Sequence, residues 1–372
     1  MDSIIELRHE LHRDPKISGR EKETAERIVR FFEPLVPDAI LDNLGGTGVA
    51  VVFSGAKPGP TVMLRAELDA LPIQEKNRLP YRSENPGIAH KCGHDGHMAI
   101  LAAVGTELTA ARPPKGRVVL LFQPSEETGA GAAAVIRDAR FSEIAPDYVF
   151  ALHNLPGYPL GQVVTRRGAF TSASRGVTIG LRGASAHAAQ PETGRSPALA
   201  MARIIERLTQ QPSGLASPHE IAFITVVGAQ LGERAFGTAP ADAEIWATLR
   251  STTDTQMAAL ISYAEEATKD LAEMFKLDFM IEYSDIFTAT LNSACAIDIV
   301  HRNAEGRVHE LEHPFRWSED FGRFTALAEG ALFGIGAGTD MPELHDSNYD
   351  FPDDLIAPAT RIFKKIIRQI LS

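Results

Sequence analysis

Val118-Val119-Leu120-Leu121-Phe122-Gln123-Pro124-Ser125-Glu126-Glu127 is the stretch on which the fold turns. Its unbroken apolar run reads as a strand buried on both faces, stopped by Pro124. In an open α/β sheet, ligands bind beyond the carboxyl ends of the strands, which is where Glu126 and Glu127 fall. Successive side chains there point apart, so the two glutamates cannot share one role. One is suited to binding a metal and the other to holding a proton near a metal-bound water. A solvated acidic turn is the competing reading of this segment taken alone.

Working outward, Ile4, Leu7 and Leu11, then Ile28, Phe31 and Phe32, recur at helical spacing and give two opening helices. Val49 to Phe53, Thr61 to Leu64 and Tyr148 to Leu152 read as further strands, with helices over Met98 to Leu108 and Ala130 to Arg137. Strands alternating with helices imply an α/β sheet covered on both faces. After about residue 170 the pattern changes. Strands at Val177 to Leu181, Ile221 to Val227, Glu244 to Leu249 and Phe279 to Tyr283 interleave with helices at Pro197 to Leu208 and Met257 to Phe275. That strand-helix-strand-strand-helix-strand order is the split βαβ pattern of a small open-faced sandwich. The α/β character resumes near 290 and ends in a helix over Asp354 to Leu371. The expected division is 1–172, 173–288 and 289–372, the middle body inserted into the outer one.

With 372 residues, two domains are the natural expectation. A formal net charge of −11 argues against nucleic acid or an anionic membrane as partner, since both favour a basic face. The N-terminus shows no basic and apolar leader, and no apolar run reaches membrane-spanning length. Cys92 and Cys295 are too few for a disulfide framework, so a reducing cytoplasm is the expected setting.

The chemistry concentrates in His90-Lys91-Cys92-Gly93-His94-Asp95-Gly96-His97, where three histidines, a cysteine and an aspartate fall within eight residues. Thiolate and imidazole suit Zn²⁺, Mn²⁺, Co²⁺ or Ni²⁺. A catalytic Cys–His pair is the main rival, because a thiolate beside histidine is also a nucleophile signature. His153-Asn154-Leu155-Pro156 ends another apolar strand, and Leu344-His345-Asp346 lies in a loop between Gly338 and Pro352. Each is weak alone; with the first two segments they supply N, O and S donors on separate loops.

The order Leu64-Arg65-Ala66-Glu67-Leu68-Asp69-Ala70-Leu71-Pro72, Cys92-Gly93-His94-Asp95-Gly96-His97 and Gln123-Pro124-Ser125-Glu126-Glu127 resembles the amidohydrolase branch of the aminoacylase/carboxypeptidase superfamily. That branch includes hippurate, auxin-conjugate and other N-acyl-amino-acid hydrolases. The likeness continues through His153-Asn154-Leu155-Pro156, Ala186-His187-Ala188-Ala189-Gln190-Pro191, Ser318-Glu319-Asp320-Phe321 and Leu344-His345, covering nearly the whole chain. It implies a mixed-sheet, zinc-exopeptidase-like catalytic domain carrying an inserted ferredoxin-like lid that also forms a homodimer interface. It further implies two divalent ions held by Cys92, His94, Glu127, His153 and His345. Glu126 then acts as general base on a metal-held water, and Asp69 and Asp95 orient ligating side chains or loops. His187 matches a lid histidine that stabilises the oxyanion, and Arg250 a carboxylate-binding arginine. The implied substrate is a small N-acyl amino acid or peptide amide. Dipeptidase, carboxypeptidase and desuccinylase activities of the same superfamily, or a catalytically impaired metal-binding relative, are the alternatives.

Three positions depart from the family pattern. Glu67 replaces a usual aspartate, and Lys91 brings a charge that could disfavour a second cation beside Cys92. Gly237, in Ala235-Phe236-Gly237-Thr238-Ala239-Pro240, replaces an asparagine that helps to hold the substrate carboxylate. The scissile-bond machinery is therefore expected to be kept and the leaving-group pocket altered.

Overall fold

The apolar runs become the centre of an eight-stranded sheet in the computed structural model, which describes residues 1–210, 214–304, 306 and 308–372. The chain divides into two units. One comprises Met1–Phe170, Thr290–Glu312 and Glu319–Ser372; the other comprises Thr171–Ala289 and His313–Ser318.

In the first unit, helices α1 (Asp2–Arg13) and α2 (Lys22–Phe32) precede strands β1 (Ala39–Leu44), β2 (Gly48–Ser54) and β3 (Lys57–Glu67). Helix α3 (His94–Ala110), strand β4 (Lys115–Gln123) and strand β5 (Tyr148–Pro156) follow. The sheet order is β1-β2-β4-β3-β5, then strands 329–338, 163–165 and 309–310. β3, β4, β5 and 329–338 run parallel, whereas β1 and β2 join antiparallel. The sheet is therefore mixed, as expected. The middle of each parallel strand is buried throughout, which is why it reads as a continuous apolar run. On one face lies α3, buried nearly all round from His94 to Gly105 and packed by α1 and the helix Ile356–Leu371. α2 brings Phe32 against the rings of Phe53 and Phe122. Among the described residues, no helix is long and apolar enough to cross a membrane.

The second unit contains the expected strand-helix-strand-strand-helix-strand order: 173–182, 198–209, 222–231, 242–251, 254–274 and 278–287. Its four strands lie in the order 222–231, 242–251, 173–182, 278–287, all antiparallel. The first and third strands of the unit are thus the two central ones, as in ferredoxin-like sandwiches. Ile179, Ile204, Leu208, Ile245, Leu249 and Leu260 form its core. Thr253 and Gln256 close the start of its long helix with a reciprocal capping box.

Helix α1 is held to α3 by charge as well as by Ile4, Leu7 and Leu11. Arg8 and His12 lie one turn apart on its buried face. Arg8 Nη1 donates to Asp95 Oδ2 at 3.1 Å, and His12 Nδ1 meets the same oxygen at 2.8 Å. His12 Nε2 reaches Glu75 Oε1 at 3.1 Å. Burial opposes a charge on His12, but Asp95 and Glu75 outweigh it and push its pKa up to about 9. A histidine raised from 6.5 stabilises the fold fully below that pH and loses the contribution as pH rises through about 9. At about 1.4 kcal/mol per unit the effect is bounded at roughly 3 kcal/mol. Thermal unfolding of the wild type should therefore weaken between pH 6.5 and 9 more steeply than that of His12→Gln. Parallel curves for the two proteins would remove His12 from this role.

Candidate active site

β3, β4 and β5 end on one edge, and the segments leaving them carry the polar residues. Asp69 follows β3, Glu126 and Glu127 follow β4, and His153 lies within β5 near its end. Cys92 precedes α3, whose first turn presents His94 and His97 three residues apart, on neighbouring positions of one face. His345 comes from a loop whose backbone is tied to the same place, its N–H donating to Lys91 O at 2.8 Å.

These segments bring all five expected metal-binding side chains together. Cys92 Sγ is 3.5 Å from His153 Nε2. His94 Nε2 stands 3.9 Å from both Glu126 Oε2 and Glu127 Oε1, and His345 Nε2 is 3.9 Å from Glu127 Oε2. The donor atoms of Cys92, His94 and His153 lie mutually within 4.8 Å, as do those of Cys92, Glu127 and His345. Cys92 belongs to both trios, so its sulfur stands between two possible ion positions.

The local chemistry fits a pair of cations. His94 Nδ1 donates to the Asp69 carbonyl at 2.8 Å, which leaves the ring's second nitrogen, Nε2, directed into the cluster. That atom and Glu127 Oε1 are buried without a hydrogen-bond partner. Such orphans are costly unless something polar or charged meets them. Burial opposes a proton on His94, yet Glu67, Glu127 and Asp69 raise its pKa to about 9, a field that equally attracts a metal ion. His153 donates Nδ1 to the Asn154 carbonyl at 3.0 Å, and burial followed by the nearby His97 lowers its pKa to about 4. It is therefore a neutral imidazole at ordinary pH. Burial, and then the charges of Glu127 and Glu126, hold the Cys92 thiol well above its usual range. Those surroundings oppose a lone thiolate nucleophile, whereas a thiolate beside a cation is relieved of the opposition.

Burial, then the neighbouring Glu319 and Glu127 charges, push Glu126 well above the usual carboxyl range. Asp69 Oδ2 accepts from Glu127 N at 3.0 Å and Ser18 Oγ at 2.7 Å, so Asp69 locks the glutamate loop and the His94 ring together. Asp95 faces elsewhere: it holds Arg8 and His12 and thereby anchors α3. Lys91 does not project its charge into the cluster. It is buried with Nζ 2.7 Å from Glu75 Oε1 and donating to Tyr349 O at 2.7 Å, so a carboxylate already meets the charge expected to repel a cation.

Sequence reasoning assigned no role to Arg65, His97, Asn154 or Glu319, and gave Glu67 none beyond its length. All five are buried here. His97 Nδ1 meets Glu67 Oε2 at 2.6 Å, and its other nitrogen faces Asn154 Oδ1. Asn154 Nδ2 donates to Cys92 O at 3.1 Å and lies 2.6 Å from the Tyr349 hydroxyl. The available signal was the alternation of Arg65 and Glu67, two charged groups on one face at the end of an apolar run, with Asp69 just beyond it.

His187, Gly237 and Arg250 belong to the second unit. His187 is exposed on a two-residue ribbon paired with Thr238, its Nδ1 accepting from Ala189 N at 3.0 Å. A side chain at Gly237 would meet nothing within 4 Å. Arg250 Nη1 donates to Arg316 O at 2.8 Å and Ser318 Oγ at 3.2 Å, which fixes the guanidinium at the end of its strand.

Fold and donor set together define the class, a hydrolase of amide bonds. The chain belongs to peptidase family M20/M25/M40, whose model matches residues 63–369. It is 30% identical over 370 residues to the hippurate hydrolase of Campylobacter jejuni, with 98% of this chain and 96% of that one covered. It is 28% identical over 341 residues to the N-acetyldiaminopimelate deacetylase of Geobacillus thermodenitrificans, covering 90% and 89%. The fold is shared with the crystal structure of the Bacillus subtilis YXEP protein, a dinuclear metal binding peptidase. The TM-score is 0.83 at 24% identity, over all of this chain and 98% of that one.

Gly93 holds the entry to α3 in a left-handed conformation with φ 94°, and a Cβ there would stand 2.5 Å from Asn154 Oδ1. Gly93→Ala combines a left-handed penalty of about 1–2 kcal/mol with displacement of the residue that grips Cys92 O. It should lower unfolding free energy by about 2 kcal/mol or more and reduce bound metal. A variant within about 0.5 kcal/mol of wild type with full metal content would contradict that reading.

Proposed function

We propose that this chain hydrolyses the amide bond of N-acyl amino acids or closely related small acyl and peptide conjugates. Cys92, His94, Glu127, His153 and His345 would hold two divalent ions drawn from Zn²⁺, Mn²⁺, Co²⁺ and Ni²⁺. The observation that carries the proposal is the convergence of donors from four separate segments on Cys92 and His94, with the Glu126 carboxylate 3.9 Å from His94 Nε2. Bound there, a pair of divalent ions lowers the pKa of a water and polarises a carbonyl oxygen.

Glu126 is the general base. It accepts the proton of the attacking water and delivers it to the departing amine nitrogen, so the products are a carboxylic acid and an amine. Its position in a water-poor pocket strengthens every charge interaction that it makes. On the strength of the motif likeness, His187 is assigned the negative charge that grows on the carbonyl oxygen. Arg250 is assigned the substrate carboxylate, for which a guanidinium is suited by its paired donors. The exposed apolar residues Phe279 and Met280 on the edge strand 278–287 support pairing of two copies through the second unit.

The test is to strip the protein with a chelator and reload it with each metal. The products would then be assayed against N-acetyl and N-benzoyl amino acids and dipeptides. Activity should vanish with the chelator and return with metal; indifference to chelation, with inactivation by thiol alkylation, would favour a Cys92 nucleophile instead. In the reloaded protein, Glu126→Gln should retain two metals per chain while kcat falls by about 10²–10⁴-fold. Substantial turnover in that variant would take the base role from Glu126.

Gly237 supports a second element of the reading, a leaving-group pocket with a weakened grip on the substrate carboxylate. The wild type should discriminate little between N-acyl amino acids and their amides. Gly237→Asn, for which the space exists, should raise kcat/KM for the free acid by about tenfold, the size of one added hydrogen bond to a charged group. A strong preference for the free acid in the wild type would defeat this.

A further inference from the structure

A cleft of about 670 Å³ opens on the first unit, away from the edge that carries Glu126 and Glu127. One wall is the last turn of α3 with residues 111–114, which lead into β4; the other is one face of the helix Ile356–Leu371. α3 has 17 residues, so at about 1.5 Å per residue the cleft stands roughly 25 Å from His94 at the opposite end of that helix. Leu108, Pro113, Ile367 and Leu371 line the floor and are buried. An apolar lining and a volume between about 300 and 1,000 Å³ are those of small-molecule sites.

The rim is charged, and nearly all of one sign. Arg112, Arg361, Lys364, Lys365 and Arg368 line the cleft against one carboxylate side chain, that of Glu107. Glu107 meets Lys364 at 2.7 Å, and Asp38 meets Arg112 at 2.6 Å. Arg361, Lys364, Lys365 and Arg368 follow at i, i+3, i+4 and i+7, so they form one stripe along the helix. Its i,i+4 pairs, Arg361 with Lys365 and Lys364 with Arg368, are of like sign, which destabilises a helix. A merely solvated face carries both signs, as α2 does with Glu26 between Lys22 and Arg30. Residues 356–371 include no acid at all, in a chain with 48 Asp and Glu against 37 Lys and Arg. The carbonyl end of the helix attracts Arg368 in its last turn, but that field does not reach back to Arg361.

We propose that this cleft is a second ligand site, one that binds a small organic anion with an apolar body, such as a carboxylate on a short acyl chain. The body lies on Leu108, Ile367 and Leu371, and the negative head meets the cationic stripe above them. Charge complementarity sets the sign of the ligand: a row of cations that weakens its own helix is repaid when an anion lies against it. Concavity sets its size, because a membrane surface is met by a protruding face and a small molecule by a cleft. The inference stands apart from the active edge and holds whichever amide is cleaved there.

The experiment titrates octanoate into the metal-loaded protein by calorimetry, beside 1-octanol and acetate, which carry its body and its charge separately. Octanoate should bind with a Kd at or below about 1 mM, and each of the other two at least about tenfold more weakly. Two variants alter the cleft in different ways. The double variant Lys365→Glu with Arg368→Glu reverses half of the stripe, and Ala111→Trp keeps every charge and fills the space from an exposed position. Each should weaken octanoate by at least about tenfold. If the charge-reversed protein fails to fold, Ala111→Trp decides alone. In crystals soaked with 8-bromooctanoate, the anomalous signal of bromine should lie against Leu108 and Ile367. No saturable binding of octanoate, equal binding of 1-octanol or acetate, an unchanged Kd in either folded variant, or bromine found only elsewhere would overturn the proposal. Vesicles of phosphatidylglycerol should not capture the protein, and capture would overturn it in favour of a lipid surface.

Discussion

The active edge of this protein depends on burying like charges together. Glu67, Glu126, Glu127, Asp69, Glu319 and Asp320 all lie within the same part of the first unit, and all but Glu127 are buried. Left to themselves, carboxylates in such density would take up protons or force the loops apart. Arg65 is the permanent counter-charge. Because a guanidinium cannot release its proton in a protein, it holds Glu67 and Glu319 below the usual carboxyl range against their burial, whereas burial carries Asp320 up to about 7. The remaining acids, Glu127 and Glu126 above all, are pushed upward, chiefly by burial. The site thus contains one set of carboxylates already compensated by the chain and another whose compensation must come from elsewhere. That division separates scaffold from chemistry.

The same logic explains how a single helix can serve both the fold and the site. α3 carries His94 and His97 toward the cluster and Asp95 toward α1. Asp95 meets Arg8 and His12, which meet Asp350, Asp353 and Glu75, and Glu75 takes up the charge of Lys91. A second buried network thus runs behind the first and keeps α3 from rotating. Removing one member of such a network typically costs about 3–5 kcal/mol, because the partner left behind is buried and unpaired. The loop that carries Cys92 sits between the two networks. Cys92 is held through its carbonyl by Asn154 on one side, and its neighbour Lys91 is fastened on the other.

What was readable in the sequence follows from the range of the interactions. The cluster at 90–97 is local, so its donor types were visible as a run of letters. The apolar strands were visible because burial on both faces leaves no alternation to decipher. The strand 329–338 was not foreseen. It is rich in glycine, which weakens every strand signal, and the reason lies in its neighbours: a Cβ on Gly336 would fall 2.0 Å from Pro159 O. The pairing of Arg65 with Glu319 was equally hidden, since 254 residues separate them. Lys91 was misleading for the same reason: its charge was obvious, but Glu75 and Tyr349 O, which absorb it, are brought up only by folding.

These two kinds of information divide between the two units. In the first, nearly every chemical group is cross-braced by at least one partner distant in sequence, so its geometry is over-determined and tolerant of little change. In the second, His187 and Gly237 stand on short or open features: His187 on a two-residue ribbon, and Gly237 where added atoms would meet nothing. Changes there cost little folding energy, because no buried network is broken and no cavity is created. A chain built this way can keep the buried cluster of its first unit constant while the open features of its second unit vary. Gly237, where an added Cβ would meet nothing within 4 Å, is the plainest such position.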